Sequence, residues 1–190
     1  MSPDGIHDHG AVTEAEGLHR TDALLGHVTG AASAAVTLRD AARAALKGRV
    51  SSGGRVSGRM LEAEQYAGHG LAWLATYAES LRQLDAWAAR LEAEGRLGEM
   101  ERLILAIGAG EYCAQICGGL PMSQGEMIRL QDMGLSQDDM RGMMIPEIQT
   151  LTQTGNTQAA RMRLVELMQE RSAEITVGRS GLDEELEMIR

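Results

Sequence analysis

Two cysteines four residues apart, Cys113 and Cys117, a histidine at position 69 and a run of cations between residues 39 and 59 are the groups whose types could do chemistry. Two thiols at i and i+4 present soft ligands on one helix face. Structural zinc, however, takes about four ligands at recognisable spacings, and no second cysteine pair or histidine stands nearby in sequence. Buried small side chains are the expected role of both cysteines, and no metal ligand set is assigned. His69 has no sequence-adjacent acid to orient it as a base, so a structural histidine is expected. The cations Arg39, Arg43, Lys47, Arg49, Arg55 and Arg59 are opposed only by Asp40 within that run. They could hold an anion, but the simpler reading is a helix C-terminus and its following loop, where the macrodipole favours positive charge. Lys47 is the only lysine, which leaves one candidate for covalent amine chemistry. Gly108 and Gly110 give a dinucleotide loop neither its preceding strand nor its third glycine.

The elements that must position such groups are helices. Hydrophobic residues make up 44% of 190 and charged residues 24%, enough to bury a core in one domain. Phe is absent and aromatics total 3%, so the core must come from Ala, Leu, Ile and Met, mostly good helix formers. A net charge of −9 repels a phosphate backbone, which argues against a nucleic-acid partner. The apolar run from Leu103 to Leu120 is long enough to consider as a membrane span. Its interior carries Glu111 and Gln115, at a cost of roughly 2.5–3.5 kcal/mol for a central acid, so a buried helix is expected and no membrane partner. Met1 to Gly10 is polar with no apolar stretch of a secretory signal, and a cytoplasmic location is the default expectation.

Along the chain, residues 1–17 lack periodicity and read as a flexible tail, and 18–179 as one helical-bundle domain. A first helix spans about Leu18 to Arg49, with a break near Gly30. After the breaker Ser51, Ser52, Gly53, Gly54, the longest periodic segment runs from about Arg59 to Glu94, its apolar face set by Leu71, Leu74, Ala78, Leu81 and Leu91. Gly95 and Gly98 reverse the chain, and a third helix from about Glu99 to Cys117 stops at Gly118, Gly119 and Pro121. Shorter helices follow, announced by Ser123 with Glu126, Ser136 with Asp139, and Asn156 as a cap for a helix to about Ser172. Ser180 with Asp183 starts a last helix over 180–190. The predicted class is all-α: a helical bundle with two long central helices and several short C-terminal ones.

On the third helix Ala106, Gly110, Ala114 and Gly118 recur every four residues and leave one stripe almost bare of side chains. Close packing against the long second helix is expected there, so Gly110→Leu should harm far more than Leu97→Ala. Met122, Met127, Met133, Met140, Met143 and Met144 cluster just beyond, as core or as an adaptable interface, with core the expected role.

Gln115, Ile116, Cys117, Gly118 and Gly119 close the third helix as a Gln-x-x-Gly-Gly sequence. With the order of helices from His69 onward, this resembles the C-terminal helical domain of acyl-CoA dehydrogenases, where that signature helps hold the adenine side of FAD across a subunit boundary. The resemblance implies a flavin contact at Gln115, Gly118 and Gly119. It also implies what is missing. Where many members carry a catalytic glutamate in Glu-Gly-Thr, this chain has Thr154, Gly155 and Asn156, and the middle β-domain that surrounds the flavin in the family has no counterpart. Gly181 to Arg190 looks like the opening of a full dehydrogenase core, and about 58–180 is similar to an N-terminal extension of some bacterial members. The implied function is an accessory or assembly domain of an acyl-CoA dehydrogenase-like flavoprotein, without catalytic residues of its own. Its partner would be the remaining flavoenzyme core or further copies of itself. Two other readings stay open: an FAD-dependent acyl-CoA dehydrogenase working as an oligomer, and a stand-alone partner-binding bundle.

Overall fold

A continuous 30-residue helix, α1 (Thr21–Val50), forms one side of a bundle in a computed structural model that describes residues 21–123 and 125–172. The tail expected at 1–17 and the helix expected at 180–190 lie outside the described residues. The break anticipated at Gly30 does not occur. Gly30 sits inside α1 where Glu147 packs against it, so its bareness serves close approach rather than a kink. A hairpin of two short antiparallel strands, β1 (Ser51–Ser52) and β2 (Arg55–Val56), then turns the chain.

The long segment expected from Arg59 to Glu94 is two helices, α2 (Gly58–Ala63) and the 29-residue α3 (Gln65–Ala93). They part at Glu64, whose backbone leaves the helical region at φ −108° and ψ 20° and whose carboxylate is held by Arg49 of α1. Ser57 caps α2 by accepting from the Met60 amide at 3.4 Å. α4 (Glu99–Gly118) agrees with its sequence reading at both ends. Helices α1, α3 and α4 surround a core in which Leu24, Leu74, Leu81, Leu105 and Ile116 are almost fully buried. Alanines at 31, 35, 42, 78, 88 and 109 let the helix axes come close. Thr29 also bonds Asp85 at 2.6 Å from α1 to α3.

After α4 the structure departs from expectation. Ser123 and Glu126 do not open a helix. They join β3 (Leu120–Ser123) to β4 (Glu126–Ile128) in an antiparallel hairpin, with the Ser123 hydroxyl on the Glu126 carboxylate at 2.9 Å. Pro121 favours extended backbone, and Leu120 and Ile128 are both fully buried, so burying the hairpin outweighs the local cap signal. A 3₁₀ turn (Leu130–Met133) leads to α5 (Gln137–Arg141), where the Ser136–Asp139 capping box forms as read. α6 (Pro146–Thr150) runs into a π-helical turn (Leu151–Gly155). α7 (Gln158–Glu170) is capped by Thr157, whose hydroxyl accepts from the Ala160 amide at 3.1 Å, so Asn156 is not the cap. The class is all-α, with α1 and α3 the longest helices and several shorter elements following α4.

The bare stripe of α4 has a different partner from the one expected. A side chain at Gly110 would meet the Leu151 carbonyl at 2.6 Å and the Asn156 amide at 3.1 Å, and one at Gly155 would meet the Ala106 carbonyl. The stripe therefore takes the backbone of the π-helical turn, not α3. Only glycine on both sides permits that approach, and the neighbouring Gly108 is the position that faces α3, through Leu84.

Candidate functional site

His69, Trp73 and Tyr77 recur every four residues on α3 and so share one face. The Trp73 indole donates to His69 Nε2 at 3.0 Å, which gives that histidine a structural partner. Trp73 meets Tyr77 edge-on with ring centroids 6.2 Å apart, and Tyr77 lies 4.9 Å from Tyr112 of α4. The Tyr77 hydroxyl donates to Gln115 Oε1 at 2.5 Å. Burial, followed by the charges of Tyr112 and Glu111, raises the Tyr77 phenol above its usual range, so it stays a protonated donor.

From Gln115 a polar chain continues across the bundle. Gln115 Nε2 donates to Glu111 Oε1 at 2.5 Å, Asn156 Nδ2 donates to Glu111 Oε2 at 2.5 Å, and Arg161 of α7 donates to Asn156 Oδ1 at 2.8 Å. Glu111 and Gln115 are one turn apart on α4, a relation visible in the sequence. Asn156, read from the sequence as a helix cap, and Arg161, which the sequence reading did not single out, reach them only through the tertiary fold.

The three residues expected to contact flavin lie together at the end of α4 and differ in what they leave open. Gln115 has two donors and two acceptor lone pairs, and its internal partners use one of each. Nothing lies within 4 Å of where a side chain at Gly118 would begin. Gly119, with φ 132° and ψ 135°, would place a side chain 2.5 Å from Met127 Sδ. Its glycine requirement is met by the β3–β4 hairpin, inside the chain. Gln115 thus keeps an N–H and a lone pair unused and Gly118 has open space beside it, whereas Met127 closes the side-chain direction at Gly119.

The remaining candidates resolve locally. Cys113 is buried and its thiol is pushed up to about 12 by that burial, while Cys117 lies at the surface with its thiol raised by partial desolvation. Among the described residues, no group of three His, Cys, Asp or Glu side chains lies close enough to hold a metal, and no helix is long and apolar enough to cross a membrane. Arg39 and Arg43 both reach Asp40, and Arg49 binds Glu64 and the Asp132 carbonyl, so three of the six cations in the basic run have internal partners. The methionine run divides: Met122, Met133 and Met143 are buried, Met140 packs against the core, and Met127 and Met144 are exposed. Thr154, where the family pattern has its glutamate, donates its hydroxyl to the Thr150 carbonyl at 2.7 Å.

No family model matches the chain. It is 56% identical over 171 residues to (2S)-methylsuccinyl-CoA dehydrogenase of Cereibacter sphaeroides, a match covering 88% of this chain and 30% of that protein. The chain thus spans about 30% of the length of the curated relative it matches.

Proposed function

Over most of its length the chain is a relative of one segment of an acyl-CoA dehydrogenase family member, and from that premise we propose that it is an accessory helical domain of such a flavoenzyme, without catalysis of its own. The observation that carries this reading is the match itself: 56% identity to only 30% of a dehydrogenase, by a piece that folds as an α-helical bundle. The hydroxyl at Thr154 supports it, because a neutral alcohol bonded to a backbone carbonyl cannot remove a proton beside a thioester as a carboxylate would.

In this reading the remaining core is the partner, the compartment is cytoplasmic, and the substrate of the whole enzyme is a methylsuccinyl-CoA-like thioester, after the relative's name. FAD held by the core supplies the two-electron acceptor. Gln115, by its unused N–H and lone pair, and Gly118, by letting a flat group approach the backbone, are the residues of this chain that would meet it. The test is to read the sequence encoded beyond Arg190, express the continuous frame and compare flavin content in the wild type and Gln115→Ala. A flavoenzyme core in frame, with flavin lost more readily from the variant, is the expected result. A frame with no such core contradicts the accessory role, and full flavin retention by the variant contradicts the contact at Gln115.

A further inference from the structure

We propose that Glu111 is a positioning residue that fixes the side-chain amide of Gln115 and couples it to α7. The inference takes its functional meaning from the reading of Gln115 as a flavin contact, but its geometry stands apart from that reading. A carboxylate is an acceptor on both oxygens. Glu111 uses them separately, taking the Gln115 amide on Oε1 and the Asn156 amide on Oε2, each at 2.5 Å. With the Tyr77 hydroxyl on Gln115 Oε1, the amide of Gln115 is held from both ends, and one orientation of its oxygen and nitrogen satisfies both neighbours. The unused N–H and lone pair are then presented in a fixed direction. Because Asn156 also receives Arg161 at 2.8 Å, a displacement of α7 changes the acceptor side of the same chain and reaches Gln115 through Glu111.

The chemistry predicts which substitutions break this arrangement and which repair it. Glu111→Gln keeps the shape but turns one acceptor into a donor, so Gln115 and Asn156 cannot both keep their bonds in their wild-type orientations. Adding Asn156→Asp reverses the second partner: the amide introduced at position 111 donates to the carboxylate introduced at position 156, and its oxygen again accepts from Gln115. Tyr77→Phe removes only the bond to Gln115 Oε1.

The measurement is side-chain amide hydrogen exchange and chemical shift, by NMR, on the full 190-residue chain. In Glu111→Gln the exchange of at least one of the Gln115 and Asn156 amides should rise about tenfold, the scale of losing a bond to a charged acceptor. In the double variant Gln115 should return to its wild-type exchange, with a protected side-chain amide appearing at position 111. Tyr77→Phe should shift Gln115 and leave Asn156 in place, and this arm holds even if Glu111→Gln folds poorly. Unchanged amides in Glu111→Gln, a freely exchanging Gln115 in the double variant, or an unmoved Gln115 in Tyr77→Phe would each overturn the proposal. Flavin retention by Gln115→Ala in the full enzyme would remove the flavin contact while leaving this arrangement standing, so the two failures are distinguishable.

Discussion

The contact of α1 with α3 and the contact of α7 with α4 are built from opposite materials. The first is an apolar seam in which Val28, Ala31, Ala35, Leu74, Ala78 and Leu81 are buried and the small side chains bring the axes together. On α7 only Leu167 is buried, and Met162, Val165 and Met168 remain exposed. Its attachment is largely ionic, with Arg163 reaching Glu99 at 2.9 Å as well as Glu166 and Glu170 on its own helix. Apolar burial stabilises in proportion to area and is not weakened by ionic screening, whereas exposed ion pairs are screened and contribute little. One molecule therefore holds a rigid three-helix frame and a lightly held helix, and the polar chain through Glu111 crosses from one to the other.

The largest effect expected is at the point where α4 meets the π-helical turn. At Gly110→Leu the obstacle is backbone, the Leu151 carbonyl and Asn156 amide, which cannot rotate away as a side chain can. The loss should exceed the upper end of the usual overpacking range of about 1–3 kcal/mol. Leu97→Ala is not the mild control that the sequence invited, because Leu97 is only 7% exposed and its truncation belongs to the class costing about 2–5 kcal/mol. Ile104→Ala, at a residue 38% exposed, is the proper comparison. Thermal unfolding should rank Gly110→Leu below Leu97→Ala, and both well below Ile104→Ala. Equal midpoints for Gly110→Leu and Ile104→Ala would show the α4 stripe to be loosely packed.

Next in size is the response to alkali on the rigid side. Burial raises the Cys113 thiol from an ordinary value of 9 to about 12, so the neutral form is the one the fold favours. Its contribution is fully present below the unfolded value and is lost as the pH rises from about 9 towards 12, where the unfolded chain ionises first. Stability of the wild type should fall over that window, and Cys113→Ala should flatten the fall. A parallel decline in the variant would assign alkaline loss to other groups. The smallest effect belongs to α7, where molar salt should speed backbone amide exchange a few-fold while leaving α1 and α3 unchanged. Equal response across the three helices would erase the contrast between the two contacts.

The parts of this molecule that are local in sequence were legible, and those decided across the bundle were not. The ends of α4 follow from Gly98, Gly118, Gly119 and Pro121, and the cap of α5 from Ser136 and Asp139, because each signal acts within a few residues. Ser123 and Glu126 carry the same three-residue spacing as a helix cap, yet they bond each other across a hairpin turn, since buried Leu120 and Ile128 decide the local fold. A four-residue repeat of Ala and Gly on α4 announces that something comes close but not what, and the π-helical turn is invisible to helical periodicity. At the end of α4 the family motif singles out Gln115 and the two glycines, and the bond of Gln115 to Glu111 follows their one-turn spacing once that stretch is helical. Tyr77, Asn156 and Arg161 required the folded chain, because they lie 38, 41 and 46 residues from Gln115 in sequence.

The proposed role, a helical part of a dehydrogenase without catalysis of its own, is most directly tested by titrating the purified chain with FAD. Circular dichroism and visible absorption on the same sample give both halves of the answer. The expected result is a strongly helical, colourless protein that acquires no flavin and does not oxidise methylsuccinyl-CoA. Stoichiometric flavin together with acyl-CoA oxidation would contradict it.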